Sequence, residues 1–233
     1  MKEAVEKLLP IERNLFLSLN GSDSVLLDNI FWTITGRYIW VPMLIFLTVM
    51  FFYKRPWKEA LLTTLAVVLV FTLCDQISSS FFKVFFQRLR PSHHPDFKDI
   101  IDTVRDYRSG GFSFISGHAT NSFGIAFFLI RLYASRWLSI PVLTWASLNS
   151  YSRIYLGLHF ISDILAGILV GSLLGLLVFA VYTFIRKRYL HNEESERSTS
   201  PYSLEKTKAV GITIAVYLLF VIILSPILST LPH

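Results

Sequence analysis

Apolar residues along this chain come in long runs separated by short polar stretches. A helix needs roughly 20 apolar residues to cross the hydrocarbon core of a bilayer. About six segments meet that length: Asp28 to Tyr53, Ala60 to Phe86, Gly117 to Tyr133, Leu138 to Tyr155, His159 to Ile185 and Ala209 to Leu228. The fourth is diluted by Asn149, Ser150 and Ser152. The segment before them, residues 1–27, has a different pattern. Val5, Leu8, Leu9, Phe16 and Leu19 are set among Glu3, Glu6 and Glu12, which predicts an amphipathic helix broken at Pro10. Such a helix lies on the membrane surface or packs on the protein. The pattern predicts an all-α, polytopic membrane helix bundle of about six transmembrane helices with an amphipathic N-terminal helix. The membrane domain covers 28–233. Its longest polar loop is 88–115, and a Ser- and Glu-rich linker, read as solvated and flexible, covers 186–208.

Composition agrees with this picture. Hydrophobic residues make up 53% of the 233, above the usual range for a soluble domain. The 22 basic and 16 acidic residues leave a net charge of +6. The apolar runs argue against nucleic acid as the partner of that charge and favour anionic lipid. Residues 1–21 lack the continuous apolar core and small-residue cleavage site of a signal peptide. The single cysteine, Cys74, cannot form an internal disulfide. Lys and Arg divide evenly between the two sides. However, the compact clusters flanking helix ends (Lys54, Arg55, Lys58; Arg186, Lys187, Arg188) share one side, which is expected to be cytoplasmic. The long loop then faces outward. Gly167, Gly171 and Gly175 repeat every fourth residue on the fifth segment and predict a close helix–helix approach.

Chemistry-bearing residues gather at the outward side. Lys83 and Arg90 are seven apart, so they point the same way if the helix continues to Pro91. Ser116-Gly117-His118 opens the third segment, where free backbone N–H groups and the helix dipole suit a phosphate. Ser152-Arg153 closes the fourth segment. His159 and Asp163 open the fifth, four residues apart. Cations to neutralise phosphate oxygens, a nucleophile, a proton donor and a carboxylate behind one histidine form a set suited to phosphoryl transfer. No metal site or cofactor is expected, because the interleaved Lys and Arg would repel a metal ion.

These residues resemble the type 2 phosphatidic acid phosphatase superfamily of membrane lipid phosphatases. Its signature is shared with soluble acid phosphatases and vanadium haloperoxidases. Lys-x6-Arg-Pro is found as Lys83 to Pro91, Ser-Gly-His as Ser116 to His118, and Ser-Arg-x5-His-x3-Asp as Ser152, Arg153, His159 and Asp163. The family usually has Pro before Ser-Gly-His, where this chain has Ile115. The change removes no chemical group. The resemblance implies that His159 attacks phosphorus to form a phosphohistidine. It implies that Asp163 orients His159, and that His118 protonates the leaving group and then activates water. Lys83, Arg90, Ser116, Gly117 and Arg153 would hold the phosphate, with Ser152 helping to position it. It further implies a bacterial envelope lipid as substrate: undecaprenyl diphosphate, lipid A phosphate, phosphatidylglycerophosphate or phosphatidic acid.

Two other readings of the same residues remain: a lipid or anion transporter that binds without catalysis, and a phosphotransferase using the same intermediate. Oligomeric state is not legible. Asp75, inside an apolar run, fits a structural pairing better than chemistry. His93 and His94 read as solvated loop residues. Arg88, Lys98, Arg105 and Arg108 either grip a head group or pair with the loop's four aspartates.

Overall fold

The computed structural model describes residues 2–190 and 201–231. Two short helices, α1 (Lys2–Glu6) and α2 (Leu9–Leu19), precede the bundle. α3 (Val25–Thr35) starts at the Ser24 cap, and α4 (Val41–Phe52) follows after a bend of 70° around Gly36 and Arg37. α5 (Trp57–Gln76) passes through a π-helical turn, Ile77–Phe82, into the short α6 (Lys83–Phe86). The long loop, 88–115, contains two 3-10 turns, Pro91–His93 and Val104–Asp106. Then come α7 (Gly117–Tyr133), α8 (Arg136–Tyr155), α9 (Ile161–Tyr189), α10 (Leu204–Ile223) and α11 (Ser225–Leu228). No strand occurs among the described residues.

Each predicted span has a helix at its place. Among the described residues, three helical stretches are long and apolar enough by themselves to cross a membrane: Trp57–His93, Ile161–Tyr189 and Leu204–Ile223. The bent pair α3 and α4 adds a fourth if it counts as one span. The other two predicted spans behave differently for a physical reason. α7 has 17 residues, and much of it, including Ala119, Ala126, Phe128 and Leu129, is buried in the bundle. α8 is diluted by its polar end, where Asn149, Ser150 and Ser152 are buried. α7 is thus covered by its neighbours, whereas α8 keeps an exposed face with Trp137 and Ile140 and falls short through its polar end.

α7 packs along α9 at the seam that the glycine repeat predicted. A Cβ on Gly171 would overlap the Thr120 carbonyl, and one on Gly175 would overlap the Gly124 carbonyl. The two backbones therefore touch where any side chain would separate them. On the opposite face of α9, Leu165, Leu169, Leu173 and Leu177 stand exposed, as a lipid-facing surface requires.

The predicted linker is shorter at both ends, because α9 runs on to Tyr189 and α10 begins at Leu204. Residues 191–200 lie outside the described residues. Arg186, expected in solvent, is buried with its Nε 2.6 Å from Glu59, which also takes Arg55 at 2.5 Å. A buried carboxylate on α5 thus retains the last turns of α9 in the bundle. The amphipathic helix packs on the protein. Phe16 of α2 is fully buried against Phe97 and Phe160, while Ile11 and Leu15 remain exposed.

Gly171→Ala should lower the thermal midpoint of the detergent-solubilised protein by about 3–8 °C, the equivalent of roughly 1–3 kcal/mol of overpacking. Leu173→Ala, on the exposed face of the same helix, should shift it far less. Equal midpoints for Gly171→Ala and the unaltered protein would mean the seam is not tight.

Candidate active site

The site forms at the bundle end where α6, α7, α8 and α9 meet the long loop. Lys83 is delivered by the π turn, whose wider ring changes the facing of the helix beyond it. The helix does not continue to Arg90 as the seven-residue spacing supposed. It ends at Phe86, where Gln87 takes a left-handed conformation (φ 48°), and Arg90 sits on extended chain. Arg90 returns to the site through tertiary bonds. Its Nη1 lies 3.0 Å from the Leu158 carbonyl and 3.1 Å from His159 Nε2, and its Nε bonds the Gly110 carbonyl at 3.0 Å.

Ser116 caps α7. Its hydroxyl accepts from the Ala119 N–H at 3.4 Å, and its own N–H donates to the Asp163 carbonyl at 3.1 Å. Gly117 follows at the helix start. The space beside its Cα is bounded by Ser78 Oγ, and a Cβ there would come 3.8 Å from Lys83 Nζ. An ammonium and free helix N–H groups therefore face one small volume, a natural seat for an anion. His118, next along α7, lies where the charges of Arg153, His159 and Lys83 all reach it.

Arg153 is buried at the end of α8, its Nη1 2.7 Å from Thr35 Oγ1 across the bundle. Thr35 thus draws the bend between α3 and α4 up to the site. Ser152 differs from the other candidates. Its hydroxyl donates to the Asn149 carbonyl at 2.7 Å, within its own helix.

His159 precedes α9 rather than lying on it, so the pair with Asp163 is not a helical i,i+4 contact. Its ring is buried, with Nδ1 3.5 Å from Asp163 Oδ2. Arginine cannot accept a hydrogen bond, so the Nε2 facing Arg90 must be the unprotonated nitrogen, and the proton resides on Nδ1, toward Asp163. Burial first, then the charges of Arg90, Arg153 and Lys83, push the imidazole well below its ordinary pKa. A backbone contact at Ser113 offsets this only in part.

Asp163 is fully buried and heavily bonded. Oδ1 accepts from Arg88 Nη1 at 2.7 Å, and Oδ2 accepts from the Phe160 N–H at 2.9 Å and from the Ser113 hydroxyl. It therefore caps the start of α9 as well as backing His159. Arg88, Ser113 and Thr35 went unassigned in the sequence. Arg88 reads there as a loop cation, and nothing in its spacing marks it as buried. The two loop histidines each have a partner: His94 Nε2 is 3.3 Å from Glu6 of α1, and His93 Nδ1 is 3.2 Å from the adjacent Ser92. Among the described residues no group of three or more His, Cys, Asp or Glu side chains is placed to hold a metal.

The fold and the site define a polytopic helical membrane protein with a cluster of cations at one end of the bundle. The PAP2 superfamily profile matches residues 60–187, and the chain belongs to that superfamily. It is 48% identical over 186 residues to a lipid A 4'-phosphatase of Porphyromonas gingivalis, covering 80% of this chain and 79% of that protein. It is 41% identical over 178 residues to a lipid A 4'-phosphatase of Bacteroides thetaiotaomicron, covering 76% and 79%. The crystal structure of Aquifex aeolicus LpxE superposes with a TM-score of 0.60 at 26% identity, over 73% of this chain and 95% of that one.

The seat should bind a phosphate mimic. Orthovanadate is expected to bind the purified protein, and Arg90→Ala and Arg153→Ala should each weaken it about tenfold or more, as loss of one charge-assisted contact does. Affinity unchanged in both variants would remove these arginines from the seat.

Proposed function

We propose that this chain is an integral membrane phosphatase that removes a phosphate from lipid A or a close analogue through a phosphohistidine. One observation carries the reading. His159 presents an unprotonated Nε2 into a cluster of three cations, the arrangement a neutral nitrogen nucleophile needs to meet a phosphate. The lipid choice is supported by the two relatives named as lipid A 4'-phosphatases.

In this mechanism the phosphate occupies the seat formed by Lys83, Arg90, Arg153, the Ser116 hydroxyl and the Gly117 N–H at the start of α7. Nε2 of His159 attacks phosphorus, an N–P bond forms, and the P–O bond to the sugar breaks. His118 gives its proton to the departing oxygen, so the lipid leaves as an alcohol. His118 then takes a proton from water, whose oxygen attacks phosphorus and releases inorganic phosphate. Asp163 stabilises the positive charge on the phosphorylated imidazole. The cations neutralise the phosphate oxygens throughout, which is where most of the rate enhancement of phosphoryl transfer arises. Ser152 braces the end of the helix that carries Arg153. No step calls for a metal ion.

The cation clusters around Lys54 and Arg186 lie at the opposite end of the bundle, the end joined by the Glu59 pairs. With that end in the cytoplasm, the site faces the outside of the inner membrane.

Phosphate release from lipid A, phosphatidylglycerophosphate, undecaprenyl diphosphate and phosphatidic acid by the detergent-solubilised protein tests the reading. Release from lipid A is expected, unaffected by EDTA and reduced about a thousandfold or more in His159→Ala. If His159→Ala released phosphate at the unaltered rate, the phosphohistidine would be wrong. Release from another lipid alone would reassign the substrate.

The pH profile gives a separate check. Acid protonates His159 and abolishes the nucleophile. Because its pKa is depressed, the acid limb of kcat/KM should lie below the ordinary histidine range, with activity persisting below about pH 6.5. A limb at or above an unperturbed histidine would contradict the buried, cation-flanked ring.

A further inference from the structure

The mechanism leaves two buried charged groups beside the site unused, Arg88 and Glu12. Glu12 lies on α2, outside the membrane bundle, yet it is buried. Its position continues the spacing of Val5, Leu9, Phe16 and Leu19, so a carboxylate stands in the middle of the packed face of an amphipathic helix. Its Oε1 accepts from Arg88 Nη2 at 2.7 Å and from Ser162 Oγ at 2.8 Å, and its Oε2 accepts from the Ser162 N–H at 2.7 Å. The other arm of the same guanidinium, Arg88 Nη1, holds Asp163 Oδ1 at 2.7 Å. Arg88 is fully buried and lies 4.3 Å over the Phe160 ring.

One cation is thus shared by two carboxylates. Arg88 alone would cancel the charge of Asp163. With Glu12 on its far side, the chain Glu12–Arg88–Asp163 carries a net charge of −1 behind His159. Burying three charges is costly, and such a group contributes little to stability that apolar packing would not. Its value lies in the field it presents to the imidazole, which becomes cationic when Nε2 bonds to phosphorus.

We propose that Glu12 is a positioning residue of the reaction. It holds Arg88 so that Asp163 stays aligned behind His159, and the N-terminal helix thereby completes the active site. The proposal rests on the phosphohistidine reading. The groups acting on His159 are Lys83 from α6, Arg90 after α6, His118 from α7, Arg153 from α8 and Asp163 from α9, with Arg88 and Glu12 behind the last.

The test is Glu12→Gln, which keeps shape and hydrogen bonding and removes the charge, assayed as phosphate release from lipid A in detergent. The expected result is a kcat lower by tenfold or more with KM within about twofold, since the field acts on the transition state rather than on binding. The acid limb should also move to lower pH, because an imidazolium with less negative charge behind it forms less readily. Glu6→Gln, which breaks a different charged contact of this segment with the loop, the one to His94, should leave kcat and limb in place. Wild-type kcat in Glu12→Gln overturns the proposal, as does a loss of kcat with the limb unmoved, the mark of simple helix docking. Should Glu12→Gln not fold, Glu12→Met decides, since it removes the charge and suits the packed face of the helix. A kcat loss of threefold or more at unchanged KM supports the assignment, and wild-type kcat overturns it. His159→Ala run alongside separates the two failures. Activity in His159→Ala removes the phosphohistidine and this inference with it, whereas an inactive His159→Ala with a fully active Glu12→Gln removes only the inference.

Discussion

The site depends on how one carboxylate is bound. Asp163 is fully buried, and its two oxygens receive Arg88, the Phe160 N–H and the Ser113 hydroxyl. Its carbonyl takes the Ser116 N–H. Through these bonds a single residue starts α9, closes the long loop onto the bundle, sets the entry of α7 and backs the His159 ring. A buried carboxylate with such a set of donors has no alternative arrangement of comparable energy, so the elements that supply the donors are held in register with one another.

Around that anchor the protein gathers like charges. Lys83, Arg90 and Arg153 converge where they repel each other, at a cost the fold must offset before any phosphate arrives. Neutral acceptors do part of this work: Thr35 takes Arg153, and the carbonyls of Leu158 and Gly110 take Arg90. None of these acceptors carries a formal charge, so the positive field survives for an anionic ligand. A carboxylate in their place would satisfy the arginines and remove the reason for phosphate to bind.

Much of this was legible in the sequence, and the exceptions have physical causes. The membrane bundle followed from apolar run lengths, and the seam between α7 and α9 from glycines at every fourth position. The convergence of Lys83, Arg90, His118, Arg153 and His159 followed from their places at helix ends on one side of the bundle. Helical periodicity failed at the two places where the chain leaves the helix. Arg90 lies beyond the Gln87 cap, and His159 lies ahead of the first turn of α9. In both cases tertiary bonds restored a proximity that spacing had assigned to the wrong cause. Thr35, Ser113 and Arg88 are contacts between distant segments with no periodic mark. Glu12 did carry a mark: an acid in register with the apolar face of its helix.

Two devices divide the structural work along the bundle. In the membrane, α7 and α9 meet backbone to backbone, which fixes their axes by shape alone and needs no polar group in lipid. At the site end the same two helices begin at the Ser116 and Asp163 caps, where polar bonds set orientation. Ser116, Gly117 and His118 sit at the start of one of these helices and His159 just ahead of the start of the other. The apolar seam therefore sets how far apart they stand, and the caps set where each of them points.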